Sequence, residues 1–289
     1  MKLREHSTEI NGNGMLLFTG HNSICTQKVL ITMFEKNLSW ETQRINLFKN
    51  EQYDPEYLKY NPKGVVPTLV HDGRAIVEST LICEYLDETF PTPSLASSSP
   101  YDRAQMRLWS KHIDEGIFEA TREISFSAMF REKLRNMTEG ERQIRFRNIG
   151  DPARSARFLS TYEHGVDSAY VLYGVASFEK LFRHMDATLA DGRDWLVANK
   201  LSLADVNLMP FVARLEYLSL LDVFIAERLR IQAWWARAKM LKSYQKAIPE
   251  MLREEDISAM ESSGAKIQHR IRELRTEHLA QSQYAARAA

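Results

Sequence analysis

The sequence predicts an α/β domain followed by an all-α domain. In residues 15–90, short apolar runs alternate with helix-like segments, and Asp72–Gly73 between two apolar runs is typical of a β-hairpin. After the Pro- and Ser-rich stretch 91–100, the strand signals disappear and helical periodicity takes over. Because parallel strands need a crossover connection, we expect the order β-α-β-α-β-β-α in the first domain.

The elements of the first domain follow from apolar runs bounded by turn residues. Met15–Phe18 is long enough for a buried strand, and Pro67 should begin a strand rather than lie within one, because it cannot donate to a sheet ladder. The expected elements, in order, are a strand at 15–18, a helix at 28–38, a strand at 40–47, an irregular stretch or short helix near Pro55, strands at 68–70 and 75–77, and a helix from Glu78 through Leu86.

Shifts in composition divide the chain into five parts. We expect a flexible tail at 1–13, the α/β domain at 14–91, a linker at 92–100, the helical domain at 101–252 and a charged C-terminal extension at 253–289. Ile267, Ile271 and Leu274 lie at helical spacing, so we expect part of the extension to dock. Within the helical domain we expect one long helix at 101–135, a kinked or loop segment at 138–160, and helices at 166–189, 195–221 and 231–248.

Charge and composition argue against several classes of function. Lys plus Arg and Asp plus Glu both number 38, so the balanced charge gives no reason to expect a nucleic-acid partner. No stretch approaches the roughly 20 apolar residues of a membrane span, and no apolar run follows the N-terminal charges as in a secretory signal. Cys25 and Cys83 are too few for a disulfide framework, and the histidines lack metal-ligand spacing. We therefore expect a cytoplasmic protein without a metal.

Three short motifs stand out in the sequence. Asn61–Leu69 reads Asn-Pro-Lys-Gly-Val-Val-Pro-Thr-Leu, and Glu78–Leu86 reads Glu-Ser-Thr-Leu-Ile-Cys-Glu-Tyr-Leu. A helix N-terminus offers N–H donors and a positive potential to an anion, which makes Ser79 a candidate ligand, although Glu78 and Ser79 are equally typical of a helix cap. Ser202-Leu-Ala-Asp205 is typical of a buried capping box.

With these motifs, residues 15–90 resemble the thioredoxin-like domain of cytosolic glutathione transferases, and residues 101–250 resemble their helical domain. The resemblance implies glutathione as co-substrate and a two-fold homodimer, with the thioredoxin-like domain of one chain against the helical domain of the other. It places the cysteine backbone of glutathione against Val66, before a cis Pro67. It also places Glu78 near the glutamyl ammonium and Ser79 at the γ-glutamyl carboxylate.

The same resemblance suggests partners for the glycine end of glutathione. Gln52 falls where related enzymes hold the glycine carboxylate, and Lys49 and Lys63 are further candidates. A solvated loop face is the alternative interpretation for all three residues.

The resemblance further implies a serine-type site for activating the glutathione thiol. The first strand ends in Phe18, which cannot donate a hydrogen bond, so the tyrosine classes are disfavoured. Ser23 occupies the position at which the serine classes of the family place their catalytic hydroxyl. A hydroxyl donor at a helix N-terminus favours the thiolate form of a bound thiol. Asn22 and Thr26 remain alternatives, and Ser23 is also a natural N-cap. Cys25 lies two residues after Ser23 and so does not occupy the catalytic position, which disfavours thiol–disulfide exchange.

Among the subclasses, the chain most resembles bacterial β-etherase-type enzymes, which cleave lignin aryl ethers with glutathione. Glu78–Leu86 and Arg103-Ala-Gln-Met-Arg-Leu-Trp109 carry this resemblance. A glutathione-dependent dehalogenase and a noncatalytic glutathione-fold binding protein are the alternatives. We expect a small hydrophobic electrophile as substrate. Aromatic residues of the helical domain either line its pocket or belong to the helix core: Trp109, Phe126, Phe130, Tyr170, Tyr173 and Phe178.

Overall fold

The computed structural model describes residues 14–147 and 151–288, and the expected flexible tail at 1–13 lies outside them. The chain forms two compact units. Unit 1 comprises the described part of Met1–Ser110 together with Val197–Pro210 and Arg237–Leu252. Unit 2 comprises the described parts of Lys111–Leu196, Phe211–Ala236 and Arg253–Ala289. The predicted domain boundaries remain predictions, because this division follows spatial contacts and gathers three separate segments into unit 1.

Unit 1 is built on a mixed four-stranded sheet with the strand order β2-β1-β3-β4. The strands are β1 (Met15–Gly20), β2 (Glu41–Ile45), β3 (Thr68–His71) and β4 (Arg74–Val77). β1 pairs in parallel with β2 and antiparallel with β3, and every residue of this central strand is buried. β1 runs two residues beyond the predicted end at Phe18, because Gly20 still pairs with Ile45 of β2.

The first helices of unit 1 complete the predicted order β-α-β-α-β-β-α. They are α1 (Ile24–Glu35), α2 (Pro55–Leu58) and α3 (Ser79–Thr89), followed by α4 (Pro100–His112). α1 begins four residues before the predicted start at 28, because Ser23 caps it. This arrangement confirms the predicted α/β, thioredoxin-like fold class.

A buried ion pair fastens the end of α1 to the segment that follows α3. The Lys36 ammonium lies 2.6 Å from the Asp87 carboxylate and donates to the carbonyls of Phe90 and Pro93 at 2.6 and 2.8 Å. Asp87 also accepts from the backbone N–H of Leu95 at 2.8 Å. Lys36 and Asp87 therefore both have charged and hydrogen-bonding partners, without which burying their charges would be costly.

The remaining elements are helical, which confirms the all-α character of the second part. They are α5 (Phe118–Ser125), α6 (Arg131–Arg135), α7 (Glu139–Arg147), α8 (Pro152–His164), α9 (Ala169–Thr188), α10 (Leu203–Tyr217), α11 (Leu221–Ile225), α12 (Leu229–Lys239), α13 (Lys242–Ala247) and α14 (Glu254–Ala288). Two π-helical turns, Ile113–Ile117 and Phe126–Phe130, interrupt the single long helix predicted at 101–135.

The helix predicted at 195–221 begins only at Leu203, as α10. There the structure shows the carboxylate half of the predicted capping box, since Asp205 Oδ2 accepts from the N–H of Ser202 at 3.2 Å and from its hydroxyl at 3.0 Å.

Most described residues of 138–160 lie in two separate helices, α7 and α8, so the predicted loop was wrong, whereas the expected break in the helix lies before Pro152, where Asp151 has an extended backbone. Pro152 begins α8 at a position where its missing N–H costs nothing, and the Asp151 carboxylate caps the helix by accepting from the N–H of Arg154 at 2.8 Å. Phe158 then packs against Phe126, with ring centroids 4.2 Å apart. This aromatic contact holds α8 in unit 2.

The C-terminal extension is the 35-residue helix α14, and its docking is confirmed. Ile271 and Leu274 are buried, and α14 packs on α9 and on the π turn Phe126–Phe130. Arg275 donates to the buried Glu179 carboxylate at 2.8 Å, and Arg228 donates to the same carboxylate. Burial alone would raise the pKa of Glu179, but these two arginines outweigh it and the pKa is lowered. Within the described residues, no helix combines the length and apolar character needed to cross a membrane.

Gly264 allows α14 to approach the chain at Leu218. A Cβ added at Gly264 would lie 1.8 Å from the carbonyl oxygen of Leu218, a backbone atom that cannot rotate away. We predict that Gly264→Ala lowers the free energy of unfolding by about 1–3 kcal/mol in denaturant titrations. Gly140→Ala is the matched control, because a Cβ there meets no atom within 4 Å. It should raise stability by up to about 1 kcal/mol, and equal effects of the two variants would contradict this account.

Candidate functional site

The turn between β1 and α1 presents Ser23 at a helix N-terminus. Ser23 has extended backbone angles, and its Oγ accepts from the N–H of Thr26 at 3.3 Å, which is the geometry of an N-cap. Its own N–H donates to the carbonyl of Gly20 at 3.2 Å. The side chain is half-buried. Because Oγ acts as an acceptor in the cap, the hydroxyl hydrogen can be donated to another group.

Gly20, at the end of β1, is surrounded by side chains of the site. A Cβ added there would lie 2.7 Å from Val66 Cγ2, 3.1 Å from Leu47 Cδ1 and 3.4 Å from Ser23 Cβ. The structure therefore brings Ser23 and Val66 together, as the sequence predicted, around a residue that sequence reasoning missed. In the sequence, Gly20 stands two residues after the predicted strand 15–18, and a glycine near a strand end often marks a close approach of other groups.

Buried hydrogen bonds fix the loop that carries Val66. The Tyr57 hydroxyl donates to the carbonyl of Val65 at 2.5 Å and lies 2.9 Å from Thr68 Oγ1. Asn61 Nδ2 donates to the same two oxygens at 2.9 and 3.0 Å. Burial raises the pKa of Tyr57 to about 12, with hydrogen bonds to Thr68 and Asn61 acting in the opposite direction, so this hydroxyl stays a donor at neutral pH. Sequence reasoning missed Tyr57 because its partners lie beyond its own helix.

Val66 lies where an extended peptide could pair with the chain. The Val66–Pro67 bond is cis, as the family resemblance implied, and β3 begins one residue after Pro67 rather than at it. The pairing of β1 with β3 begins at Thr68, opposite Phe18, so the backbone of Val66 lies beyond that ladder. This leaves Val66 suited to backbone contacts with a ligand.

Glu78 and Ser79 lie at the N-terminus of α3. Glu78 has a φ of +69° and a ψ of 110°, a conformation that is costly for a side chain with a Cβ and that concentrates at ligand sites. The Glu78 side chain does not cap α3. It instead pairs with Lys63, with Oε1 and Nζ 2.6 Å apart and both side chains largely exposed. The structure therefore brings Lys63 to Glu78, which sequence reasoning did not foresee.

Gln52 lies behind the turn that carries Leu47. Its side chain is 7% exposed, and Nε2 donates to the carbonyl of Leu47 at 3.4 Å, while Oε1 is buried without a hydrogen-bond partner. Because Leu47 also approaches Gly20, Gln52 is next to the same cluster. Lys49, by contrast, lies on the exposed face of the short 3₁₀ turn Leu47–Lys49.

The alternatives to Ser23 differ from it in burial and in use. Thr26 is 3% exposed, and its Oγ1 accepts from the N–H of Gly20 at 3.4 Å. Its hydroxyl oxygen therefore stabilises the turn between β1 and α1. Asn22 is half-buried with a left-handed φ of 56°. Cys25 is half-buried on α1. Burial raises the pKa of Cys83 to about 11, which keeps that thiol protonated at neutral pH.

The aromatic residues of the helical part divide between the core and the surface. Trp109, Phe126 and Phe178 are almost fully buried, which supports the helix-core interpretation for these three. Tyr173 is 64% exposed. A role of any of them in an electrophile pocket stays a prediction. In the described ranges, no group of three or more His, Cys, Asp or Glu side chains is arranged to hold a metal ion.

Profiles of a known family match the chain over more than half of its length. The glutathione S-transferase N-terminal domain matches residues 22–89, and the glutathione S-transferase C-terminal domain matches residues 152–239. The first match contains the Val66–Pro67 and Glu78–Ser79 elements described above.

Individual relatives agree with these domain matches. Protein LigF of Sphingobium sp. strain SYK-6 is 32% identical over 191 residues, covering 55% of this chain and 73% of LigF. Glutathione S-transferase TCHQD of Arabidopsis thaliana is 26% identical over 249 residues, covering 81% of this chain and 89% of that protein. The crystal structure of beta-etherase LigF superposes with a TM-score of 0.71 at 26% identity, covering 82% of this chain and 99% of LigF. The chain therefore belongs to the glutathione S-transferase family and is an enzyme of that family.

Proposed function

We propose that this glutathione transferase cleaves β-aryl ethers of the lignin type, using glutathione as nucleophile. The observation that carries the proposal is the similarity to beta-etherase LigF in both sequence and structure. Family membership supports glutathione as co-substrate and a small hydrophobic electrophile as its partner in the reaction. It also supports a cytoplasmic location, which we include in the proposal.

In this proposal, unit 1 holds glutathione along the sequence-predicted residues. The backbone of Val66, beside Pro67, pairs with the cysteine residue of glutathione. The first N–H groups of α3 and the Ser79 hydroxyl hold the γ-glutamyl carboxylate, because a helix N-terminus offers donors and a positive potential to an anion. Glu78 faces the glutamyl ammonium.

The glycine carboxylate of glutathione is assigned to Gln52 and Lys63. Gln52 offers an amide from a buried position, where the long 3.4 Å bond to Leu47 is readily exchanged for a charged acceptor. Lys63 already neutralises Glu78 across an exposed pair, which contributes at most about 1 kcal/mol and is therefore easily rearranged.

Ser23 is the proposed activator of the glutathione thiol. Its hydroxyl hydrogen and the N-terminus of α1 both favour negative charge on a nearby sulfur, which lowers the thiol pKa toward neutrality. Glutathione supplies the thiolate, and a carbon–sulfur bond forms at the β-carbon as the carbon–oxygen bond to the aryl group breaks. The phenolate leaves with the electron pair and takes a proton from solvent.

The substrate class is tested by the product released. With glutathione present, the protein should release a phenol from a β-aryl ether model compound, and it should release none without glutathione. A haloalkane is the matched comparison, with halide as the measured product. Halide release without phenol release would contradict ether cleavage and support a dehalogenase.

The role of Ser23 predicts a specific kinetic defect. In Ser23→Ala, the affinity for glutathione should be nearly unchanged, while the pKa of the bound thiol should rise because a stabiliser of its charged form is lost. For each pH unit by which that pKa rises, the rate at neutral pH should fall about tenfold. The defect should shrink at higher pH, where the thiol ionises unaided. Thiolate absorbance titration and initial rates measure both quantities.

Asn22→Ala and Thr26→Ala are the controls for this prediction. Thr26→Ala also removes a contact to the Gly20 N–H, so its unfolding temperature should be recorded alongside its rate. If Ser23→Ala keeps full activity and an unshifted titration while one of the controls loses both, Ser23 is only the cap of α1. The activating donor is then the residue whose replacement abolished activity.

We further propose a two-fold homodimer, which is the commonest closed oligomer of soluble proteins. Large apolar side chains are exposed on neighbouring helices of unit 1, with Leu81 of α3 at 56% and Leu108 of α4 at 47% exposure. Arg107 of α4 donates to Glu84 of α3 at 3.2 Å, so these helices lie side by side. This exposed apolar surface supports the proposed dimer.

Leu81→Glu should shift the mass measured by light scattering from dimer to monomer, because it places a charge on the proposed interface. Leu229→Glu is the matched control, since Leu229 is 75% exposed and belongs to α12 rather than to α3 or α4. It should leave the dimer intact. A monomeric mass of the unaltered protein at micromolar concentration would contradict the proposal.

A further inference from the structure

Lys28 is a fully buried lysine whose role the proposed glutathione contacts leave unexplained. It lies on α1, is 1% exposed, and donates from Nζ to Thr80 Oγ1 at 2.7 Å. Lysine is among the residues least often buried, because removing an ammonium from water costs several kcal/mol. Burial of this kind is poor support for stability, so a functional reason is worth testing.

The side chain of Lys28 connects two helix N-termini. Along α1, Lys28 follows Ser23 by little more than one turn. Across the core, its ammonium reaches Thr80, the residue directly after Ser79 in the first turn of α3. One buried cation therefore links α1, little more than one turn beyond Ser23, to the first turn of α3, where the γ-glutamyl carboxylate is proposed to bind.

The surroundings of Lys28 include neutral groups whose places are well defined. Thr32 Oγ1 donates to the carbonyl of Lys28 at 3.1 Å. Cys83 of α3 is close enough that the charge of Lys28 opposes the rise that burial imposes on its pKa. The ammonium is therefore held between α1 and the first two turns of α3.

We propose that Lys28 is a positioning residue for the γ-glutamyl carboxylate of glutathione, an inference that rests on the proposed function. Its bond to Thr80 fixes the first turn of α3, so that the N–H and hydroxyl groups of Ser79 are aimed at the carboxylate. Its charge adds to the positive potential of the helix N-terminus. Because the ammonium is buried, solvent and salt screen this potential less than they screen the potential of the exposed Lys63.

The test compares Lys28→Met with Lys28→Arg by calorimetric titration with glutathione. Methionine keeps the length of the side chain but removes its charge, so Lys28→Met should weaken glutathione binding by about tenfold or more, equivalent to about 1.4 kcal/mol. Lys28→Arg should recover part of the affinity. At saturating glutathione, kcat should change far less than KM for glutathione.

The unfolding temperature separates positioning from a structural role. Methionine avoids the cost of removing an ammonium from water, which offsets the lost bond to Thr80, so we expect Lys28→Met to unfold no earlier than the unaltered protein. Lys59→Met is the matched control, because Lys59 is 67% exposed and pairs with Glu56 within its own turn. That control should change neither glutathione affinity nor unfolding temperature.

Each contrary outcome is distinct. An unchanged glutathione affinity in Lys28→Met overturns the inference. It is also overturned if Lys28→Met loses both glutathione affinity and unfolding temperature and Lys28→Arg does not recover the affinity. If Lys28→Met does not fold, Thr80→Val keeps the cation but removes its bond, and unchanged affinity in that variant overturns the inference. Failure of the unaltered protein to bind glutathione overturns the proposed function, and this inference with it.

Discussion

The site depends first on the fixed position of the Val65 carbonyl. Tyr57 and Asn61 both donate to that oxygen, and both also contact Thr68, the first residue of β3. The loop before β3 is thereby tied to the sheet through buried hydrogen bonds, which are costly to leave unmade. Because Gly20 lies against Val66, the loop also sets where the β1–α1 turn and its Ser23 can lie. Loss of this anchor would displace both halves of the proposed glutathione contact.

The electrostatics of the site are local rather than global. Formal net charge is zero, so the protein as a whole supplies no field that attracts an anion. The N-termini of α1 and α3 supply positive potential at short range, and the buried Lys28 ammonium lies between these helices. The costly backbone of Glu78, with its φ of +69°, is held at the same helix start. A peptide with carboxylates at both ends and a thiol between them suits this distribution of charge.

The sequence predicted the parts of the structure that depend on local patterns. The order of strands and helices and the cis Val66–Pro67 bond were expected, and α3 begins one residue after its predicted start at Glu78, because hydrophobic periodicity, turn residues and a family motif indicate these features directly. The contacts of Tyr57 and Lys28 were not expected, since hydrogen bonds between residues far apart in the chain produce no pattern in the spacing of residue types. Lys28 and Thr80 are 52 residues apart in the chain. At 138–160, where a kinked or loop segment was expected, Pro152 is instead the first residue of a helix, a position at which its missing N–H costs nothing.

The central claim is that the N-termini of α1 and α3, with the loop at Val66, hold glutathione. A crystal structure of the protein with glutathione tests it most directly. The account predicts the sulfur within about 3.5 Å of Ser23 Oγ, the cysteine backbone paired with Val66, and the γ-glutamyl carboxylate at the N–H of Ser79. A sulfur placed at Thr26 or Cys25, or a γ-glutamyl group bound away from α3, would contradict it.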